Sequence, residues 1–277
     1  MNPIVMSLRA RINNYAKKAN ISAQVVLQNY MFERFLERLS KSPYVDKFVI
    51  KGGMLVSSIV GLDTRSTMDL DATLKEMPLK KNEIQIALET ISNISIEDDT
   101  KFNLISIKPI RKDDIYGGFC VRIDAVFDTI ITPLSIDIST GDVITPNPVK
   151  YEINGIFNDD LHIGLWGYNI ETILAEKVET ILSRGVLNTR PRDYYDVYIL
   201  STTKKFDKEI FKEALDATSE HRGSKKAISD PQKIIDVISV DEGLRVLWEK
   251  YQSRFSYAKS INYLQIIESL KTILGVQ

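Results

Sequence analysis

One cysteine and two histidines in 277 residues are too few for several classes of protein. A single thiol, Cys120, cannot close an internal disulfide, which fits a chain kept in a reducing compartment. With only His162 and His221 available, neither an imidazole-based nor a cysteine-based zinc site can be built, so any metal has to be a hard cation held by carboxylates. Neither sign of charge dominates: 36 Lys and Arg stand against 37 Asp and Glu. Such a balance lacks the broad field of a strongly basic nucleic-acid binder, and leaves contact with RNA or DNA to local patches. Apolar runs are short, none reaching the roughly 18 residues of a membrane-spanning helix. Arg9, Arg11, Lys17 and Lys18 interrupt the N-terminal segment, which reads as a helix and not a secretion signal. A cytoplasmic protein is expected.

Ordinary proportions of apolar (44%) and charged (26%) residues allow a sizeable core in one large or two moderate domains. Helical spacing is expected from about residue 3 to 18 and from 22 to 39, with Ser22 as N-cap. The period then changes. A short strand over 48–50 runs into Gly52 and Gly53, a helix follows over 54–60, and residues 68–74 alternate strictly. A helix over 82–91 and strands over 103–110, 118–128 and 133–139 complete the first half. The Pro/Gly/Asn-rich stretch TPNPVKYEINGIFNDD marks a boundary, beyond which six helical segments and no comparable strand appear between 170 and 274. The expected division is 1–165 for an α+β domain and 166–277 for a helical one.

In a strand, Asp69 and Asp71 share one face while Met68, Leu70, Ala72 and Leu74 point to the core. Two carboxylates so close repel, and stay ionised most readily with a divalent cation between them. Mg²⁺ suits the pair, because it takes one or two protein carboxylates and completes its shell with water and phosphate oxygens. Upstream, Gly52-Gly53 between a strand and a helix lets backbone N–H groups approach an anion at a helix N-terminus. A phosphate cradle beside paired carboxylates describes a nucleotide site working by in-line displacement. A third carboxylate is expected from Asp137, on a strand whose other face is apolar; Asp124, sharing its face with Arg122, is the rival. Arg65 stands where it can meet a phosphate bidentately, or simply pair with Asp63.

The segments KGG and RSTMDLD, with the later ETILAEKVETILSRGVLNTRPRDYYDVYIL, resemble the AbiEii/AbiGii-type toxins. These form a nucleotidyltransferase-fold family of bacterial toxin-antitoxin and abortive-infection systems. The resemblance implies an α+β fold, with a polymerase-beta-like mixed-sheet catalytic domain followed by a C-terminal helical domain. It also implies that Asp69 and Asp71 bind metal and NTP, that Gly52 and Gly53 form the phosphate turn, and that Lys177 and Asp193 complete the active site. Asp137 matches the family's isolated strand Asp before Gly141-Asp142. Gly53 departs from more distant nucleotidyltransferases, which often carry Ser there. The implied activity is transfer of nucleotides from an NTP, with Mg²⁺ or Mn²⁺, to an acceptor such as the tRNA 3′ end, opposed by a cognate antitoxin and with no membrane involved.

Helical geometry places Lys177 and Arg184 about 20° apart on one helix, so that both can serve a triphosphate, although Lys177 can equally sit in a salt bridge to Glu171, Glu176 or Asp193. Pro191 puts Asp193 in a first helical turn, where the dipole alone favours a carboxylate, and Asp196 is spaced to pair with Arg192. Tyr194, Tyr195 and Tyr198 are base-stacking candidates or core. The clusters at 80–81, 204–205 and 221–226 are RNA seats or solvated charge. Other acceptors, a protein or a small molecule such as an aminoglycoside, remain open, as does a non-catalytic nucleotide-binding module.

Overall fold

The computed structural model describes residues 3–110 and 117–277. They divide into two compact units, Met1–Asp142 with Val149–Gly167, and Val143–Pro148 with Tyr168–Gln277.

The first unit opens with helices α1 (Pro3–Ala19) and α2 (Ala23–Ser40). Ser22 caps α2 by accepting the Val25 N–H at 3.2 Å, as its position before the apolar stripe predicts. The chain then alternates β1 (Phe48–Lys51), α3 (Gly52–Val60), β2 (Leu70–Leu74) and α4 (Lys81–Ser92). Long strands β3 (Thr100–Pro109), β4 (Gly118–Phe127) and β5 (Ile130–Thr140) follow, then β6 (Val149–Asn154) and β7 (His162–Gly167). Together the strands form one sheet in the order β3-β4-β5-β2-β1-β7-β6. It is mixed, with β2 parallel to β5 and β1 parallel to β7, and the other neighbours antiparallel.

Phe48, Val49 and Ile50 are all buried, the unbroken apolar run of a central strand covered on both faces. In β4 and β5 the alternation is clean: Val121, Ile123, Leu134, Ile136 and Ile138 are buried, while Arg122 and Ile131 are exposed. Helix α2 packs on β5 and β7, and α4 on β3. Arg38 of α2 clamps both Asp98 oxygens at 2.8 and 2.7 Å and the Thr100 carbonyl at 2.8 Å, fixing the start of β3.

Two expectations change here. Strand β2 begins at Leu70, so Met68 and Asp69 precede it, and Met68 is 40% exposed instead of facing the core. The stretch read as a boundary holds β6, whose hairpin with β7 extends the sheet beyond β1, with β6 as its edge. Its turn-forming residues, Gly155 to Asp160, occupy the hairpin connection and masked the flanking alternation.

The second unit is helical: α5 (Ile170–Arg184), α6 (Pro191–Thr203), α7 (Lys208–His221), α8 (Pro231–Val240), α9 (Glu242–Arg254) and α10 (Tyr263–Leu274). Asn169 caps α5 through the Thr172 N–H at 2.7 Å. Its amide donates to the Thr145 and Asn147 carbonyls at 2.8 and 2.9 Å, which ties segment 143–148 to this unit.

Candidate active site

Five residues from five adjacent strands stand opposite one another in register. Lys51 pairs with Asp71, Asp71 with Asp137, Asp137 with Cys120, and Cys120 with Lys108. Register partners project from the same face, so the five side chains form one row across the sheet. The second and third members are carboxylates.

Gly52 follows Lys51 directly and starts α3 with φ of 64°, in the left-handed region open to glycine. A Cβ there would overlap the Asp71 carboxylate, with Cγ only 2.8 Å away. Gly53 is confined differently: its Cβ would meet Thr67 Oγ1 at 2.8 Å and Arg65 Nη2 at 3.0 Å. The room a serine would need at this position is taken by the Thr67 hydroxyl. Both glycines thus keep side chains away from the N-terminal turn of α3, where unpaired N–H groups and the helix dipole favour an anion.

Asp137 lies beside Asp71 on β5, and its Oδ1 is buried without a hydrogen-bond partner. Asp124 pairs instead with Pro133, four residues along β4 from Cys120 and outside the row. Asp69 is exposed, one residue ahead of β2. Among the described residues no three His, Cys, Asp or Glu side chains converge closely enough to hold an ion as they stand. The donors nevertheless fit Mg²⁺, which needs only one or two protein carboxylates. Asp71 and the orphaned Asp137 oxygen supply them.

Three residues of this neighbourhood had no role in the sequence reading. Lys51 Nζ bridges Ser139 Oγ at 2.9 Å and Asp142 Oδ2 at 2.7 Å, and Ser139 donates to the same carboxylate at 2.7 Å. Burial works against the Asp142 charge, but Lys51 and the hydrogen bonds outweigh it and hold the carboxyl below its usual range. The signal for this latch is Lys51 abutting the glycine pair, with Asp142 just past the strand that carries Asp137.

Arg65 is not at the surface. It is 1% exposed, donates to the Ser66 carbonyl and backs Gly53, where it supports the turn.

In the second unit, Lys177 of α5 meets two carboxylates of α6, Asp193 at 2.7 Å and Asp196 at 3.3 Å. Asp196 therefore serves Lys177, whereas Arg192 had been its expected partner. Its side chain is fully buried, and Asp193 Oδ2 is buried without a hydrogen-bond partner. Arg184 is exposed near the end of α5. Tyr194 and Tyr195 are buried, Tyr195 packing against Tyr251 and Tyr257, so these two are core. The 221–226 cluster is largely neutralised: Arg222 binds Glu176 at 2.9 Å and Glu179, and Lys225 binds Asp216.

A mixed sheet with a strand–Gly-Gly–helix turn and carboxylates on the neighbouring strands is the architecture of a nucleotidyltransferase. A candidate nucleotidyltransferase from H. pylori superposes with a TM-score of 0.51 at 20% identity, over 91% of this chain and 96% of that one. JHP933 from Helicobacter pylori gives 0.49 at 19% identity over 91% and 92%. An antigenic nucleotidyltransferase-like protein from Paracoccidioides brasiliensis gives 0.40 at 17% over 70% and 90%. Among curated proteins none matches the chain. The family model described as "Nucleotidyl transferase AbiEii toxin, Type IV TA system" matches residues 34–274, and the chain belongs to that AbiEii family.

Proposed function

We propose that this nucleotidyltransferase moves nucleotides from an NTP onto the 3′ end of tRNA. By blocking translation it would arrest growth in a type IV toxin-antitoxin system that acts in phage abortive infection and is held in check by a cognate antitoxin. The observation carrying the chemistry is the in-register pair Asp71 and Asp137, beside the Gly52 turn.

In this reading the backbone N–H groups of Gly52 and Gly53 hold the triphosphate. Asp69, Asp71 and Asp137 are the residues that would hold Mg²⁺. When bound, that ion supplies positive charge to the phosphate oxygens and lowers the charge repulsion met by an incoming hydroxyl. Asp137, beside Asp71, takes the proton of the acceptor hydroxyl on the carboxylate oxygen not committed to the ion. The hydroxyl oxygen then bonds to the α-phosphorus, the bond from that phosphorus to the bridging oxygen breaks, and pyrophosphate leaves with the electron pair. Lys51 is held by Ser139 and Asp142, which keeps the base of the turn fixed. Lys177, Asp193 and Arg184 belong to the reading through the family resemblance, as groups serving the nucleotide.

Incubation of the protein with each α-labelled NTP and total tRNA, cell protein or aminoglycosides tests the acceptor class. Label on tRNA, with extra residues beyond CCA on sequencing, is expected, and Asp71→Asn is expected to abolish it. Label appearing only on protein or drug sinks the tRNA reading. Undiminished growth arrest by Asp69→Ala/Asp71→Ala would make the chain a binding module.

A further inference from the structure

Beyond Asp137 the row continues onto β4 and β3, and the face it belongs to is open there. Lys101, Asn103 and Lys108 of β3 and Arg122 of β4 are exposed, with Ser106 and Ser135 half-buried among them. Among the described residues of this face on β3 and β4, three cations thus stand against one acid, Asp124, although the whole chain carries a net charge of −1. Lys108 is two strands from Asp137, about 10 Å, and Arg122 one strand over and two residues along, about 8 Å. The large apolar side chains exposed on β3–β5 are Ile105, at the bulge between Leu104 and Ser106, and Ile131 of β5, six residues from Asp137. Among the described residues of this face, no aromatic is exposed for reading a base.

We infer that this open face of β3–β5 is the track for the acceptor, and that its occupant is the single-stranded 3′ end of an RNA held by its phosphates. Lys108 and Arg122 contact the phosphates one or two nucleotides back from the hydroxyl at Asp137. The inference rests on the proposed transfer to RNA. Charge complementarity favours a polyanion over a protein or a drug, and the continuity of the row with the two carboxylates sets the direction of the strand. Contacts of this kind are independent of base identity and weaken with salt.

The experiment uses total tRNA, the full-length protein and Lys108→Glu/Arg122→Glu, with Lys108→Gln/Arg122→Gln as the milder pair. Transfer by the charge-reversed variant should lose 10-fold or more in kcat/KM through KM. Its salt dependence should be shallower by up to two units of log–log slope, about one per lost phosphate contact. Binding of labelled NTP without RNA should persist. Cys120, the sole cysteine, sits in the row between Lys108 and Asp137 and supplies a second readout. Its maleimide labelling should slow several-fold when tRNA is added to the wild type, but not to the variant. Because the Arg122 charge favours the Cys120 thiolate, labelling with and without tRNA is compared within each protein, and matching circular dichroism and melting temperatures show that both are folded. Unchanged KM in both variants, or tRNA that is extended without protecting Cys120, places the acceptor elsewhere and overturns the inference. If wild-type protein labels no RNA but does label protein, the proposed acceptor fails and this track fails with it.

Discussion

Gly52 and Asp71 fit together so closely that a methyl group on the glycine would occupy the space of the carboxylate. Gly52→Ala therefore has two costs. The backbone at φ of 64° penalises a side chain by about 1 kcal/mol, and Asp71 must also be displaced from its place beside Asp137. Gly185, at φ of 51° with nothing within 4 Å of its Cβ position, bears the first cost alone. Chemical denaturation should show Gly185→Ala losing about 1 kcal/mol and Gly52→Ala clearly more. Transfer should fall at least 100-fold in Gly52→Ala only. Equal losses in the two variants would mean that the fit to Asp71 is unimportant.

Lys177, 19% exposed, stands between two carboxylates that have almost no access to water themselves. Removing one partner of a buried ion pair typically costs about 3–5 kcal/mol, because the remaining charge keeps its desolvation penalty. Lys177→Met should lower stability by an amount in that range, and Asp196→Asn added to it should restore a substantial part. If Lys177 also serves the nucleotide, the double variant will be stable yet will gain no thermal protection from NTP. A double variant that is fully protected by NTP would leave Lys177 a structural residue.

Much of this molecule can be read from local signals, and the failures have local causes. The Lys51-Gly52-Gly53 turn, the α4 helix and the long strands β3–β5 were legible because each has an undisturbed period and clear punctuation. Hairpin β6–β7 was not, because Gly155, Asn158, Asp159 and Asp160 in its turn look like a linker, and β7 gains its place only through parallel pairing with distant β1. Asp137 could be preferred over Asp124 from its apolar strand face, but its adjacency to Asp71 depends on the β2–β5 register. The burial of Arg65 was illegible for a similar reason. Its sequence position suggests a loop cation, while burial behind Gly53 is a tertiary fact. Lys177 shows the same limit, since a helical wheel gives its direction and not its two partners.

Glu33 of α2 is buried, accepts the Ile156 N–H and pairs with Arg34, at the edge of a cavity of about 280 Å³ lined also by Tyr15, Asn29 and Ser57. Burial raises its pKa above the usual 4.5, and the Arg34 charge offsets this only in part. A carboxyl with a raised folded pKa contributes stability below its unfolded value, and loses it as pH rises through the folded one. Glu33→Gln removes that loss, and Arg34 keeps Glu37 at 2.9 Å as a partner. The melting temperature of the variant relative to wild type should therefore climb as pH increases from 4.5 toward neutrality. A difference that shrinks over this interval would show the ion pair dominating burial.

Asp137 should display the opposite demands of folding and catalysis. Its Oδ1 is buried without a partner, and the neighbouring Asp71 places a second carboxylate beside it, so in the absence of metal the ionised pair is a source of repulsion. Replacing one carboxylate by a neutral amide of the same shape relieves that repulsion. Asp137→Asn should thus match or exceed the wild-type melting temperature in EDTA, whereas its transfer rate should drop by about 10²–10³, the usual scale for losing a group that acts on the reacting atoms. Added Mg²⁺ should stabilise the wild type more than the variant, which separates lost metal affinity from lost proton transfer. Asp124→Asn, outside the row, should change neither quantity much. Should Asp124→Asn abolish transfer while Asp137→Asn retains it, the third carboxylate has been assigned to the wrong strand, and the acceptor hydroxyl must be sought four residues further along β4.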